Sequence, residues 1–291
     1  MKNQILNILK TKILVSDGAL GTALMARGLK SGECPDLWCK THPEDIKGIV
    51  RGYVSAGSDI ISTNSFGANR FKLSHYGLEN DVHEINFAAA KIAKEVAGED
   101  VFVAGSIGPT GKMLLMGDVT EKELFDAYKE QIAAIYEGGA DLVLIETISD
   151  IEEAAIAVKA AKDATPLPVA VTFAFDKTLK GEYRTMMGVS PTEMTQEMKK
   201  AGADIVGANC GSGIENMPEI TKEIRAADPD IFIMIQPNAG VPQNVNGKDI
   251  YPESPEQMAE NTAQLVQNGA NIIGGCCGTT PAHIKAIKEA L

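Results

Sequence analysis

The chain has 291 residues, 44% hydrophobic and 23% charged, proportions of a soluble globular protein long enough to bury a core without disulfide staples. Its 27 Lys and Arg against 39 Asp and Glu leave a formal charge of −12, which repels phosphate backbones and argues against nucleic acid as a partner. No uncharged run approaches the ~18 residues of a membrane span, and no small-residue cleavage site follows a signal-like core. The expectation is therefore a cytoplasmic protein without a membrane partner, in a compartment that keeps its five cysteines reduced.

In chain order, the segment from Met1 to Val15 reads as a short helix leading into a strand over Ile13–Ser16. The stretch Ala56-Gly57-Ser58-Asp59-Ile60-Ile61 then introduces a pattern: a glycine suited to ending a helix, an acidic or amide residue, and a β-branched run suited to a buried strand. The pattern returns at Gly139-Ala140-Asp141-Leu142-Val143, Gly202-Ala203-Asp204-Ile205-Val206 and Gly269-Ala270-Asn271-Ile272-Ile273. Further strands fall between the copies, over Val101–Ser106, Val169–Phe175 and Ile231–Gln236, giving eight in all. Asp81–Ala97 places Ile85, Ala88, Ala89, Ile92 and Val96 on one helical face. Capping boxes are expected at Thr120 with Glu123 and Ser149 with Glu152, and cap-plus-proline starts at Ser190, Ser254 and Thr280. Eight strand–helix alternations predict an α/β fold, a (β/α)8 TIM barrel forming one domain over residues 1–291. A doubly wound open sheet is the alternative, because periodicity does not establish closure.

In such a barrel the site lies at the C-terminal ends of the strands. Cys210 ends the sixth strand, and Cys276 and Cys277 end the eighth, flanked by glycines that free the backbone to aim both sulfurs inward. Three thiolates around one point suit a zinc ion with an open fourth position, which a substrate thiol can fill as thiolate. Buried packing cysteines, or a redox disulfide within the adjacent pair, are the other readings.

The stretches Asp17-Gly18-Ala19-Leu20-Gly21-Thr22, Thr63-Asn64-Ser65-Phe66-Gly67-Ala68-Asn69, Gly108-Pro109-Thr110-Gly111, Asn209-Cys210-Gly211 and Gly274-Gly275-Cys276-Cys277-Gly278 resemble the homocysteine S-methyltransferase family across nearly the whole chain. Within it, Thr63–Asn69 and Gly105–Gly111 are most similar to the homocysteine-binding module of cobalamin-dependent methionine synthase. The resemblance implies a zinc-dependent methyltransferase making methionine from homocysteine, with Cys210, Cys276 and Cys277 as metal ligands and catalytic centre. It further implies Asp17 and Glu146 at the substrate's amino group, and backbone amides of Gly18, Ala19 and Thr22 at its carboxylate. Thr63 and Asn64 are expected at the substrate site, and Asn238 as a fourth zinc ligand in the absence of thiol. The implied donor is methylcobalamin, free or on a separate corrinoid protein. Methyl transfer from S-methylmethionine or to another thiol, and a non-catalytic zinc-binding or redox-sensing barrel, are the alternatives.

Residue chemistry supports part of this independently: a carboxylate facing a substrate ammonium is a charge-assisted pair, and a glycine-rich turn cradles a carboxylate. The plainer readings are a turn residue for Asp17, a loop cap for Glu146, loop hydrogen bonds for Thr63 and Asn64, and a simple turn at Gly105–Gly111. His42, His75, His83 and His283 show no ligand spacing and read as surface residues. Cys34 and Cys39 read as packing or surface thiols, and no lysine ends a strand to form a Schiff base.

Overall fold

The computed structural model describes residues 4–245 and 248–291. Eight parallel strands form its sheet: β1 (Leu14–Val15), β2 (Ile60–Ser62), β3 (Phe102–Ile107), β4 (Leu142–Ile148), β5 (Val169–Phe173), β6 (Ile205–Gly213), β7 (Phe232–Asn238) and β8 (Ile272–Ile273). The spatial order is β1-β8-β7-β6-β5-β4-β3-β2, and a parallel bridge from Ser16 to Ile60 joins β1 to β2. The sheet is thus a ring, and the (β/α)8 TIM barrel is the fold. Each strand leads to one helix of the outer layer: α1 (Pro43–Ser55), α2 (Val82–Ala97), α3 (Glu121–Glu137), α4 (Ile151–Ala164), α5 (Pro191–Ala201), α6 (Met217–Ala227), α7 (Pro255–Gln267) and α8 (Pro281–Glu289).

The recurring sequence pattern has a structural cause. Gly57, Gly139, Gly202 and Gly269 all have positive φ, turning the chain from helix to strand. The residue two places on then grips the preceding strand. Side-chain oxygens of Asp59, Asp141, Asp204 and Asn271 accept from the backbone N–H of Val15, Val103, Val169 and Ile233 at 2.8–2.9 Å. Their own N–H groups return bonds to the carbonyls of those four residues. Strands are thereby locked in pairs at the N-terminal end, where edge backbone groups would otherwise lack partners. Cations cover the locks: Lys12 and Lys288 on Asp59, Lys94 on Asp141, and Lys162 on Asp204.

Strand alternation divides the core. Leu14, Ile60, Ala104, Leu142, Leu144, Ala170, Ile205, Met234 and Ile272 fill the barrel's N-terminal half, with Ile5 and Leu9 from the chain's start packed onto them. Val15, Ile61, Val103, Val143, Val171, Val206, Ile233 and Ile273 face the helices instead.

A capping box forms at Thr120 as expected, and the cap-plus-proline starts at Ser190, Ser254 and Thr280 are capping boxes as well. The start of α4 differs. Asp150, not Ser149, is its N-cap, accepting from the N–H groups of Glu152 and Glu153. A carboxylate is the stronger acceptor for two converging amides. His283 also departs from the surface reading: it is buried at the start of α8, bonded to Thr280 and the Glu253 carbonyl. Two short hairpins were not foreseen, Asp176–Lys177 with Tyr183–Arg184 after β5, and Gln243–Val245 with Lys248–Ile250 after β7. No helix of the described residues is long and apolar enough to cross a membrane.

Candidate active site

At the C-terminal mouth a cavity of about 620 Å³ opens, lined by strand ends and following loops. The three cysteines come together on its wall. Cys210 Sγ lies 2.8 Å from Cys276 Sγ and 3.8 Å from Cys277 Sγ, and all three sulfurs fall within 4.8 Å of one another. Two zinc–sulfur bonds of about 2.3 Å at a tetrahedral angle set their sulfurs roughly 3.8 Å apart, the spacing of Cys210 and Cys277. All three are free thiols. Cys210 adopts a left-handed backbone (φ 57°) in a bulge of β6. Gly211 follows with φ 59°, and a Cβ there would sit 2.4 Å from the Phe175 carbonyl, so the turn that presents Cys210 demands glycine. Across the ring, a Cβ at Gly274 would sit 1.9 Å from Ser16 Oγ, so only glycine lets the Cys276–Cys277 segment pass so close to β1.

The sulfurs perturb one another. Cys276 is held well above the usual thiol range by the neighbouring sulfurs of Cys210 and Cys277 and by burial, whereas Cys277 is held low because it accepts from both. Three negative sulfurs cannot coexist there without a compensating cation. A divalent metal supplies one, so the donor set fits zinc.

Two carboxyls face the same cavity. Asp17, 1% exposed, accepts from Ser62 N at 2.7 Å and Ser62 Oγ at 2.9 Å. Glu146 accepts from the Ser106 hydroxyl. Burial pushes both up to about 7, against those hydrogen bonds, and the proximity of Asp17 adds to the rise at Glu146. A buried ammonium between them would restore both charges.

The other expected site residues divide. Gly18, Leu20, Gly21 and Thr22 line the cavity. Ala19 also lines it, but its N–H already donates to Thr279 Oγ1 at 3.1 Å, which takes it out of the expected carboxylate cradle. Thr63 and Asn64 line the wall while holding loops: Thr63 Oγ1 accepts from Ser106 N, and Asn64 Nδ2 donates to the Pro35 carbonyl. Asn238 is not among the lining residues. Its Nδ2 donates to the Gly211 carbonyl and its Oδ1 accepts from Cys277 N, each at 3.0 Å, so the amide ties the two cysteine loops together. The turn at Gly105–Gly111 is more than a proline bend: Gly108 packs under the Phe66 ring, and Thr110 is fixed by Glu153.

One further group, Asn209, escaped assignment from sequence, whereas the packing reading of Cys34 and Cys39 agrees with their burial. Asn209, fully buried, links Glu146, Thr147, Thr172 and Cys276. Its signal was available in strand parity, since it shares the inward face with Ile205. Cys34 and Cys39 are both buried in the first βα loop, where Cys39 Sγ donates to the Asn64 carbonyl at 3.3 Å, a packing role.

The mouth of this (β/α)8 barrel thus joins a three-sulfur cluster, which could hold a metal ion, to the carboxyls of Asp17 and Glu146. The chain matches the homocysteine S-methyltransferase family over residues 14–291, and it belongs to that family of methyltransferases. It is 31% identical over 308 aligned positions to the methionine synthase of Mycobacterium tuberculosis and, at the same identity, to that of Mycobacterium leprae, covering 99% of this chain. The chain spans about a quarter (25%) of the length of these relatives. Among solved structures, the homocysteine methyltransferase MmuM from Escherichia coli shares the fold. Its metallated form superposes with a TM-score of 0.80 at 22% identity over 100% of both chains, and its oxidized form with 0.79 at 24% over 99% of both.

Proposed function

We propose that the protein methylates the sulfur of L-homocysteine, giving methionine, with zinc held by Cys210, Cys276 and Cys277. The observation that carries this reading is the convergence of three sulfurs within 4.8 Å in a cavity that also holds Asp17 and Glu146. Zinc bound there would lower the pKa of the incoming thiol, so that the acceptor is a thiolate at neutral pH. Asp17 and Glu146 hold the amino group, and the ammonium draws both carboxyls toward their charged forms. The Gly18–Thr22 turn, less the Ala19 N–H, receives the carboxylate. Asn238 orients the cysteine loops. With both ends of the amino acid fixed, the sulfur pair attacks a methyl carbon in line, and the donor leaves with the electron pair of the broken bond.

The donor we favour is a methylcorrinoid, free or carried by another protein or another part of a longer one. The methionine synthase relatives, four times the length of the matched region, support it. Three reduced thiols accord with a cytoplasmic setting. The test has two stages. Anaerobically prepared protein should hold about one zinc per chain and release about one proton on adding L-homocysteine. Zinc-loaded protein with homocysteine is then offered methylcobalamin, S-methylmethionine, S-adenosylmethionine and betaine, with methionine as the readout. Absence of zinc binding overturns the metal centre. Turnover with S-methylmethionine but none with methylcobalamin overturns the donor and leaves thiol activation standing.

A further inference from the structure

Strand β4 does not run straight to its end. Its register against β5 shifts between Ile145 and Ile148, and Thr147 within the shift has φ 60°, a left-handed conformation costing a β-branched residue roughly 1–3 kcal/mol. This kink sits beside Glu146, a residue that lines the cavity. Asn209, from β6, clamps the kink at two points. Its Oδ1 accepts from Thr147 N at 2.8 Å, and its Nδ2 donates to Thr147 Oγ1 at 2.7 Å. The Thr147 N–H can only donate, which fixes which end of the amide is oxygen, and the Thr172 hydroxyl at 2.7 Å fills the second acceptor site of Oδ1.

The amide nitrogen has a second hydrogen. Within its reach lie Glu146 Oε2 at 3.5 Å and Cys276 Sγ at 3.8 Å, both long contacts that strengthen when the acceptor carries full negative charge. Asn209 has no exposed surface, so water does not substitute for this donor. One carboxamide therefore touches the carboxyl proposed to hold the substrate's amino group and a sulfur proposed to hold its metal.

We propose that Asn209 is a positioning residue that sets Glu146 and the Cys276 sulfur in a common register, so that the amino group and the thiol of one substrate molecule are seated together. The inference rests on the homocysteine reading above and deepens it. Its consequence is selective: loss of the Nδ2 donor weakens a ligand that uses both groups more than one that uses only the metal.

The experiment compares zinc-loaded wild type with Asn209→Asp, Asn209→Ala and Thr172→Val by calorimetric titration of L-homocysteine and of 2-mercaptoethanol. Wild type is measured first. If it binds no homocysteine, the functional reading falls and takes the inference with it. Asn209→Asp keeps the size and the Oδ1 acceptor but has no donor. Asn209→Ala has neither donor nor added charge. Both are expected to lose homocysteine affinity tenfold or more and mercaptoethanol affinity threefold or less, with zinc still near one per chain. In cobalt-substituted protein, Asn209→Asp should also move the sulfur-to-metal charge-transfer band. Thr172→Val removes one Oδ1 contact only, and should change homocysteine affinity less than threefold without moving the band. The inference is overturned by a folded, metal-loaded Asn209→Asp with wild-type homocysteine affinity and band. It is equally overturned by losses in Asp alone and not Ala, or by Thr172→Val reproducing them, since charge or mere packing would then explain the effect.

Discussion

The two ends of the barrel are built on different logics. At the N-terminal end one device is used four times, a positive-φ glycine followed by Asp59, Asp141, Asp204 or Asn271 gripping the strand before it, over a closed apolar plug. At the C-terminal end no such device recurs. The strand ends deliver thiols, carboxyls, hydroxyls and amides in no fixed pattern, and two residues, Thr147 and Cys210, are held in a left-handed conformation that an unconstrained strand would avoid. The periodic end supplies stability and the irregular end supplies chemistry. Changes at one should therefore leave the other's property nearly intact.

The largest effect should follow from breaking the sulfur cluster. Cys276→Ser is expected to cut zinc affinity at least a hundredfold and abolish thiol binding, while leaving secondary structure unchanged by circular dichroism. Cys34→Ser and Cys39→Ser, buried but outside the cluster, should retain one zinc per chain by metal analysis. The reciprocal break is Leu144→Ala, in the N-terminal core, expected to cost about 2–5 kcal/mol in urea unfolding through the cavity it leaves. Its zinc stoichiometry should remain that of wild type. Loss of metal from folded Leu144→Ala would show that the two ends are not separable.

The same contrast explains what was legible in the sequence. The four copies of the glycine–acid–strand pattern announced their strands because the locking residues are fixed in type and spacing. The caps at Thr120, Ser190 and Ser254 were legible because capping is a local interaction. The Asp150 cap was missed because Ser149 and Asp150 are adjacent and both are good acceptors, so geometry alone decides between them. The hairpins after β5 and β7 have strands of only two or three residues, too short for a hydrophobic alternation to be detected. At the mouth, the cysteines could be read because three sulfurs at strand ends have few other uses. Strand parity turns Asn209 inward, but the partners of Asn209 and Asn238 could not be read from spacing. A carboxamide's partners are set by how β4, β5, β6, β7 and β8 converge, and that is a property of the closed ring.

Within the irregular end, Glu146→Gln sharpens the division between metal and amino-acid recognition. The amide keeps the size and loses the charge, so L-homocysteine should bind about tenfold more weakly, with 2-mercaptoethanol changed little in parallel titrations. Equal losses for both thiols would place Glu146 with the sulfur cluster and not with the amino group.

A further effect, on stability and not on binding, concerns the cost of keeping Asp17 at the mouth. Its carboxyl is raised from 3.8 to about 7 by burial, only partly offset by the Ser62 N–H and hydroxyl. Between those values the folded protein retains a proton that the unfolded chain has released. Folding is therefore favoured as pH falls through the window and disfavoured as it rises toward 8. That rise corresponds to at most about 4 kcal/mol, and solvent entering the open cavity reduces it. Asp17→Asn has no charge to bury, although it gives up one acceptor for Ser62, worth about 1 kcal/mol at any pH. The stability of Asp17→Asn minus that of wild type should accordingly rise by about 1–3 kcal/mol between pH 5 and pH 8. Urea unfolding of the metal-free, reduced proteins at the two pH values measures it. Taking the difference cancels titrations common to both chains; Glu146, which the Asp17 charge helps to raise, moves the difference in the same direction. A flat difference would mean that Asp17 ionises as an ordinary solvated carboxyl, and that the mouth does not hold it ready for a cation.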